Sequence, residues 1–339
     1  MHTLVLEAPG RLVATTTAEP SSPGPGEALV RVRRIGICGT DLHAYRGRQP
    51  FFAYPRILGH ELGVEVLAVG TGVTQVQPGD RCAVEPYLNC GGCIACRRGK
   101  PNCCRSLQVL GVHVDGGHRE RILVPASKLH GSRRLTLDQL ALVETLGIGA
   151  HAVSRAGIEA GETVAVLGAG PIGLAVMQFA LAAGTRVIAV DVSPARLEFV
   201  RTQLGVDTTV NAATEDVGTR LAGLTDGDLP TAVFDATGSA LSMNAAFAHP
   251  APGGRLIFVG ITRENVTFSD PELHRRELAV LASRNALPGD FPRIIGLIEA
   301  GRINTTPWIT HRAALGEAPG LFEAGTRPET GVIKAMIEV

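Results

Sequence analysis

Charge of one sign is missing from this chain. Its 32 lysines and arginines balance 32 aspartates and glutamates over 339 residues, a formal net charge of zero. Without a dominant sign there is no long-range attraction for nucleic acid or anionic membrane, and neither is expected as a partner. Blocks of like charge, internal repeats and low-complexity tracts are also lacking. No window reaches the roughly 18–20 continuous apolar residues of a membrane span. The opening residues, MHTLVLEAPGRLV, lack the basic-then-apolar order of a secretory signal. The expectation is a soluble, cytoplasmic protein.

What is present is a chain long enough for about two domains, 45% hydrophobic, with 41 glycines and 21 prolines for tight turns. Residues 1–130 read as strand-rich. Short β-branched segments at 27–33, 63–69 and 81–85 are separated by Pro/Gly turns at 22–26 and 77–80. From about Thr163 the texture changes to strand–helix alternation. Strands are expected at 163–167, 186–190, 231–234, 255–259 and 278–282, with helices running to Ala183 and over 194–204. That alternation predicts an α/β, doubly wound parallel sheet. The last segment returns to short strands at 331–339 and is expected to rejoin the first domain.

Five of the seven cysteines fall between Cys90 and Cys104, and four of them read Cys90-x2-Cys93-x2-Cys96-x7-Cys104. Such clustering in a long chain without an export signal argues for thiols and metal, not disulfides. One loop can then fold around a tetrahedral zinc with Zn–S bonds of about 2.3 Å. An iron–sulfur cluster is the alternative, but its ferredoxin spacing closes on Cys-Pro after three residues. Zinc is favoured, and the site is complete without substrate.

The segment Gly168-Ala-Gly-Pro171-Ile172-Gly173 follows a strand, opens a helix, and is followed about 20 residues on by Asp191 at the end of the next strand. In that context the glycines permit a tight turn, close approach to a pyrophosphate and close helix–strand packing. The phosphates then sit on the helix N-terminus. Asp191 would accept hydrogen bonds from the adenosine ribose and repel a 2′-phosphate, so NAD is favoured over NADP; Arg196 tempers that preference. The competing reading of Asp191 is a cap for the helix beginning near Pro194. Thr237, in Asp235-Ala-Thr-Gly238, and Val259-Gly260 each follow an apolar strand where the cofactor crevice of such a sheet lies. Arg284 and Asn285 follow the last strand and are candidates for the nicotinamide or a substrate carboxylate.

Cys38 in Gly36-Ile-Cys-Gly-Thr-Asp-Leu-His43, His60 in Gly59-His-Glu61, and Glu144 after a helical stretch supply one thiolate, one imidazole and one carboxylate. Catalytic zinc has three protein ligands and one open position. Singly, each has an ordinary reading: Cys38 as a small buried hydrophobe, His60 as a structural histidine. Their joint occurrence with a dinucleotide motif favours the metal.

These motifs, in this order and over nearly the whole length, resemble the zinc-dependent medium-chain alcohol dehydrogenases. Glu144 at the third ligand position is similar to the sorbitol, threonine and sugar-acid branch. Residues 49–55, 268–272 and 283–286 are similar to its L-galactonate (L-gulonate) 5-dehydrogenase-like group. The resemblance implies a GroES-like catalytic domain at 1–150 with a structural zinc lobe at 88–105, a Rossmann domain at 151–290, and a return at 291–339. It implies Cys38 and His60 as zinc ligands, with Glu61 or Glu144 completing the set. It further implies a proton relay from substrate through Thr40 and the nicotinamide ribose to His43, and a homodimer or homotetramer.

The function so implied is hydride transfer from a secondary alcohol of a polyol or sugar acid to NAD. Threonine or a simple secondary alcohol is the alternative substrate. A non-catalytic cofactor-binding regulator and a redox-sensing zinc-clip module with free Cys82 and Cys103 are the alternatives from other classes. Tyr45, Phe51 and Phe52 are candidates for the substrate wall. Three positions depart from the family pattern: Val64 stands where glycine is usual, with Gly63 one place early; Thr145 replaces a proline after the carboxylate ligand; and His118 replaces an aromatic residue.

Overall fold

A computed structural model describes residues 1–49 and 52–339. The chain divides into two compact units, Met1–Thr145 with Leu287–Val339, and Leu146–Ala286. The division falls inside one helix, Leu137–Ala156.

The first unit is built on a seven-stranded sheet. Its path runs Ile309–Ala314, Lys334–Glu338, Glu27–Ile37, Glu61–Val69, Arg81–Val84 and Leu129–Gly131, with Arg121–Pro125 pairing beside Glu27–Ile37. The C-terminal strand lies antiparallel to Glu27–Ile37, with Ala335 opposite Ile37. The two longest strands pair antiparallel with Gly36 opposite Glu61. Alternation along Glu27–Ile37 sends Ala28, Val30 and Val32 into a core with Leu62, Val64 and Ile122. This pairing is what carries the functional residues. Cys38 follows one strand, His60 and Glu61 open the next, and Lys334 opens the last.

The second unit is a six-stranded, all-parallel sheet in the order Thr209–Asn211, Arg186–Asp191, Thr163–Leu167, Ala232–Asp235, Arg255–Phe258, Ala279–Ala282. Numbered along the chain that order is 3-2-1-4-5-6, with the switch point beside the first strand, where dinucleotides bind. Five of the six strands come within one residue of the expected bounds, because near-continuous Val/Ile/Leu/Ala runs between turns mark the strands of a parallel sheet, while Thr209–Asn211 was not expected. Among the described residues no helix is long and apolar enough to cross a membrane.

Candidate metal centres and dinucleotide site

The glycine loop joins Thr163–Leu167 to the helix Pro171–Ala182, whose N-cap is Gly170 and whose first turn receives no side-chain cap. Free N–H groups at that end are the donors a pyrophosphate needs. Gly173 is required by packing: a Cβ there would lie 1.7 Å from the Gly168 carbonyl oxygen. Asp191 is buried, and its carboxylate accepts from the Ala169 N–H at 2.6 Å and the Ser193 N–H at 2.8 Å. The helix cap is Ser193, which accepts from the Arg196 N–H, so Asp191 is not that cap. Asp191 instead ties the glycine loop to the neighbouring strand.

The turns bearing Thr237, Val259 and Gly260 come to the same end of the sheet. Ala236 N–H donates to Leu167 O, and the Val259 and Gly260 N–H groups both donate to Asp235 O at 2.9 Å. Thr237 Oγ1 donates to the Asp235 carboxylate at 2.7 Å. Asn285 sits at positive φ, and its buried side-chain amide nitrogen has no protein acceptor. A donor so placed, together with an uncapped helix end, fits a dinucleotide.

In the first unit, Cys38, His60 and Glu61 bring one thiolate, imidazole and carboxylate atom each to within 4.8 Å of one another. Cys38 is the N-cap of the helix Gly39–Tyr45, and its N–H donates to Asp41 Oδ2 at 2.9 Å. His60 is 5% exposed, with Nδ1 3.6 Å from Asp41 Oδ1. Neither atom has a hydrogen-bond partner. Burial opposes charge on His60, but Asp41, Cys38 and Glu144 outweigh it and hold the imidazole well above its ordinary range. Burial would raise the Glu61 carboxyl; Lys334 and His60 win, and it is lowered. Burial, partly offset by His60 and reinforced by Glu61, raises Glu144. The thiol, imidazole and carboxyl groups gathered beside a single lysine offer donor atoms of the types a divalent zinc ion takes.

Glu144 lies within the Leu137–Ala156 helix, not after a helical stretch, and the Tyr87 phenol donates to its Oε1. The helix approaches the sheet at Gly63, where a Cβ would fall 2.2 Å from the Leu137 carbonyl oxygen. The early glycine therefore serves this close approach, while Val64 is plain core. Thr145 is fully buried in the same helix. His118 is fully buried and edge-on to Phe322, with neither ring nitrogen partnered. Burial and the nearby His60 push it down to about 3, so it packs as a neutral ring where an aromatic residue is usual. Thr40 and His43 stand one turn apart on the Gly39–Tyr45 helix, with His43 exposed. Tyr45 and Phe52 pack against the core of this unit; Phe51 lies outside the described residues.

The four lobe cysteines form the second donor group, also within 4.8 Å. The Cys90 N–H donates to Cys104 Sγ at 3.3 Å, and the Arg105 and Cys96 backbone amides help lower Cys93 to about 6. Four converging sulfurs fit a closed zinc site. Cys103 is outside the group, and Cys82 is a core residue whose thiol burial pushes up to about 12. An inert Cys82 removes one of the two thiols the redox-sensor reading needs.

Sequence reasoning missed three residues here: Asp41, Tyr87 and Lys334. Lys334, 2% exposed, places Nζ 2.7 and 2.8 Å from the two Glu61 oxygens. A lysine inside an apolar terminal strand was the available signal.

Fold and sites together define a two-domain, zinc-dependent dehydrogenase. The chain belongs to the zinc-type medium-chain alcohol dehydrogenase family: residues 24–133 match the alcohol dehydrogenase GroES-like domain and 171–300 the zinc-binding dehydrogenase domain. It is 39% identical to L-galactonate-5-dehydrogenase of Escherichia coli K12 over 99% of this chain and 98% of the relative. An Escherichia coli CFT073 alcohol dehydrogenase (rspB), solved with NADH, superposes with a TM-score of 0.93 at 31% identity, covering 100% and 99% of the two chains. A Sinorhizobium meliloti zinc-binding dehydrogenase bound to NADP gives 0.92 at 32%, with the same coverage.

Proposed function

We propose that this dehydrogenase oxidises a secondary alcohol of a sugar acid, an aldonate of the L-galactonate or L-gulonate type, to the ketone, with NAD as hydride acceptor. The observation that carries it is the convergent donor set of half-buried Cys38 with buried His60 and Glu61, and the 39% relative supports the substrate class. Cys38, His60 and one of Glu61 or Glu144 would hold zinc, which would supply Lewis acidity at the substrate hydroxyl, with a bound NAD as the hydride acceptor. Cys38, His60 and the glutamate orient that hydroxyl. Thr40 Oγ1 accepts its proton and hands it outward, and exposed His43 releases it to solvent. Gly168, Gly170, Pro171, Ile172 and Gly173 seat the pyrophosphate. Thr237, Val259, Gly260, Arg284 and Asn285 line the rest of the cofactor, and Tyr45 and Phe52 the substrate.

A panel of aldonates, polyols, threonine and simple secondary alcohols, with NAD and NADP and reduced-cofactor absorbance as readout, tests this. Aldonates are expected to give the highest kcat/KM. A best substrate among threonine or simple alcohols overturns the substrate class, and silence across the panel overturns the reaction.

Asp191 supports NAD, and Arg196 is the first charged residue of the following helix. Asp191→Ala removes the acceptor for two backbone N–H groups and a ribose. At about 1.5–3 kcal/mol for a hydrogen bond to a charged group, kcat/KM with NAD should fall about 10- to 100-fold. NADP should lose less, because a repulsive charge leaves with the acceptor. A wild-type preference for NADP, or equal losses, would count against the assignment.

The Ala279–Ala282 strand is a sheet edge with Val280 exposed, a template for pairing with a second chain. It supports the homodimer or homotetramer reading, and a monomer by light scattering removes it.

A further inference from the structure

Each of the two glutamates beside Cys38 and His60 is held by its own partner. Glu61 contributes an oxygen to the donor group, and its carboxylate is shared with Lys334 Nζ, which reaches it from the far side of the Glu27–Ile37 strand. Glu144 is buried yet falls outside that group of mutually close ligand atoms, and its Oε1 accepts from the Tyr87 phenol. The two holds have opposite consequences. Lys334 draws on Glu61 and weakens its claim on a cation. Tyr87 draws on Glu144 and keeps it from taking the place.

Tyr87 is suited to such a role because little about it can move. It is 3% exposed and sits on a two-residue strand, Tyr87–Leu88, paired with Gln108–Val109. Its ring stands edge-on to Phe291, which stacks on His130. His130 Nε2 in turn lies 3.3 Å from Glu85 Oε2, two residues before Tyr87. Lys128 Nζ donates to that same Glu85 carboxylate and, at 3.3 Å, to Asn89 Oδ1 two residues after it. The segment is thus fixed at every second residue, with its side chains alternating as a strand requires. Asn89 Nδ2 is 3.7 Å from Cys96 Sγ, which anchors the segment in the thiolate lobe.

We propose that Tyr87 is a positioning residue that decides which carboxylate completes the metal site: by retaining Glu144 through its phenol it leaves Glu61 as the resting ligand, and loss of that hydroxyl hands the place to Glu144. The proposal rests on the dehydrogenase reading of the site.

Cobalt(II) exchanged into the catalytic site, with zinc kept in the lobe, gives a visible spectrum set by ligand identity and geometry. In the wild-type background, Glu61→Gln is expected to change that spectrum and Glu144→Gln to leave it. Tyr87→Phe should change it, and Glu144→Gln added to Tyr87→Phe should abolish the new band, because the incoming ligand is then gone. A Tyr87→Phe spectrum identical to wild type, or a change that survives Glu144→Gln, overturns the proposal. So does a wild-type spectrum that responds to Glu144→Gln as strongly as to Glu61→Gln, and that comparison stands even where Tyr87→Phe fails to fold. The two levels separate by metal content. Full cobalt loading with Tyr87→Phe silent sinks the role of Tyr87 alone, whereas wild-type protein that takes no cobalt at Cys38 and His60 sinks the dehydrogenase site and the proposal with it.

Discussion

Replacing Cys38 by serine should lower kcat/KM about a thousandfold or more and reduce bound zinc from about two ions per chain to about one, with a Tm close to that of wild-type protein stripped of the same zinc. A hydroxyl is a poor substitute for the thiolate among zinc's protein ligands. A bound Lewis acid contributes several kcal/mol to stabilising developing charge, and about 4 kcal/mol is about a thousandfold in rate. The fold should tolerate the change for a local reason. Cys38 is the N-cap of the Gly39–Tyr45 helix, and serine is among the preferred residues there. The lobe should keep its own metal, since Cys90, Cys93, Cys96 and Cys104 form a separate donor group. Metal analysis, activity and a thermal melt on one preparation decide the matter. A variant that keeps about two zinc ions per chain and more than about a tenth of its activity would show that Cys38 is not a ligand of the working site.

The parts of this molecule legible from sequence are those whose constraint is local in the chain. The lobe cysteines and the loop from Gly168 to Gly173 are fixed by spacing alone, because one turn of backbone must wrap one ion or approach one phosphate. Asp191 could be read from its place at a strand end, though its donors from Ala169 and Ser193 could not. Helix bounds were less legible. Glu144 reads in the sequence as following a helical stretch, yet Leu137–Ala156 continues past it. A buried phenol supplies the hydrogen-bond partner that lets the carboxyl group be buried there. Tyr87 and Lys334 were illegible for a different reason. Their partners lie 57 and 273 residues away in the chain, and only the tertiary fold brings them together. The departure at Val64 was visible, but its meaning was not: Gly63 answers to a helix whose approach no local pattern announces. His118 was likewise visible as a substitution, while its role as a neutral packed ring follows from Phe322, over 200 residues on.

Lys334→Met should destabilise the zinc-free protein by about 3–5 kcal/mol, the cost of leaving one member of a buried ion pair uncompensated. Methionine approximates the lysine stem in volume, so the loss is electrostatic and not a cavity effect. Glu61 is fully buried, and with the ammonium gone its two oxygens lose their donor, as does the Ile37 carbonyl oxygen that Nζ reaches at 3.2 Å. Two further measurements separate this account from a general packing defect. Adding Glu61→Gln to Lys334→Met should recover part of the loss in the zinc-free state, because the stranded charge is removed. Adding zinc to Lys334→Met alone should raise its midpoint in urea by more than zinc raises that of the wild type. A ligand that binds only the folded state stabilises in proportion to the logarithm of its affinity, and a carboxylate freed from lysine is a better partner for a cation. If the deficit of Lys334→Met is the same with and without zinc, and Glu61→Gln only adds to it, then the lysine holds the C-terminal strand by packing, and the Glu61 charge is not what it serves.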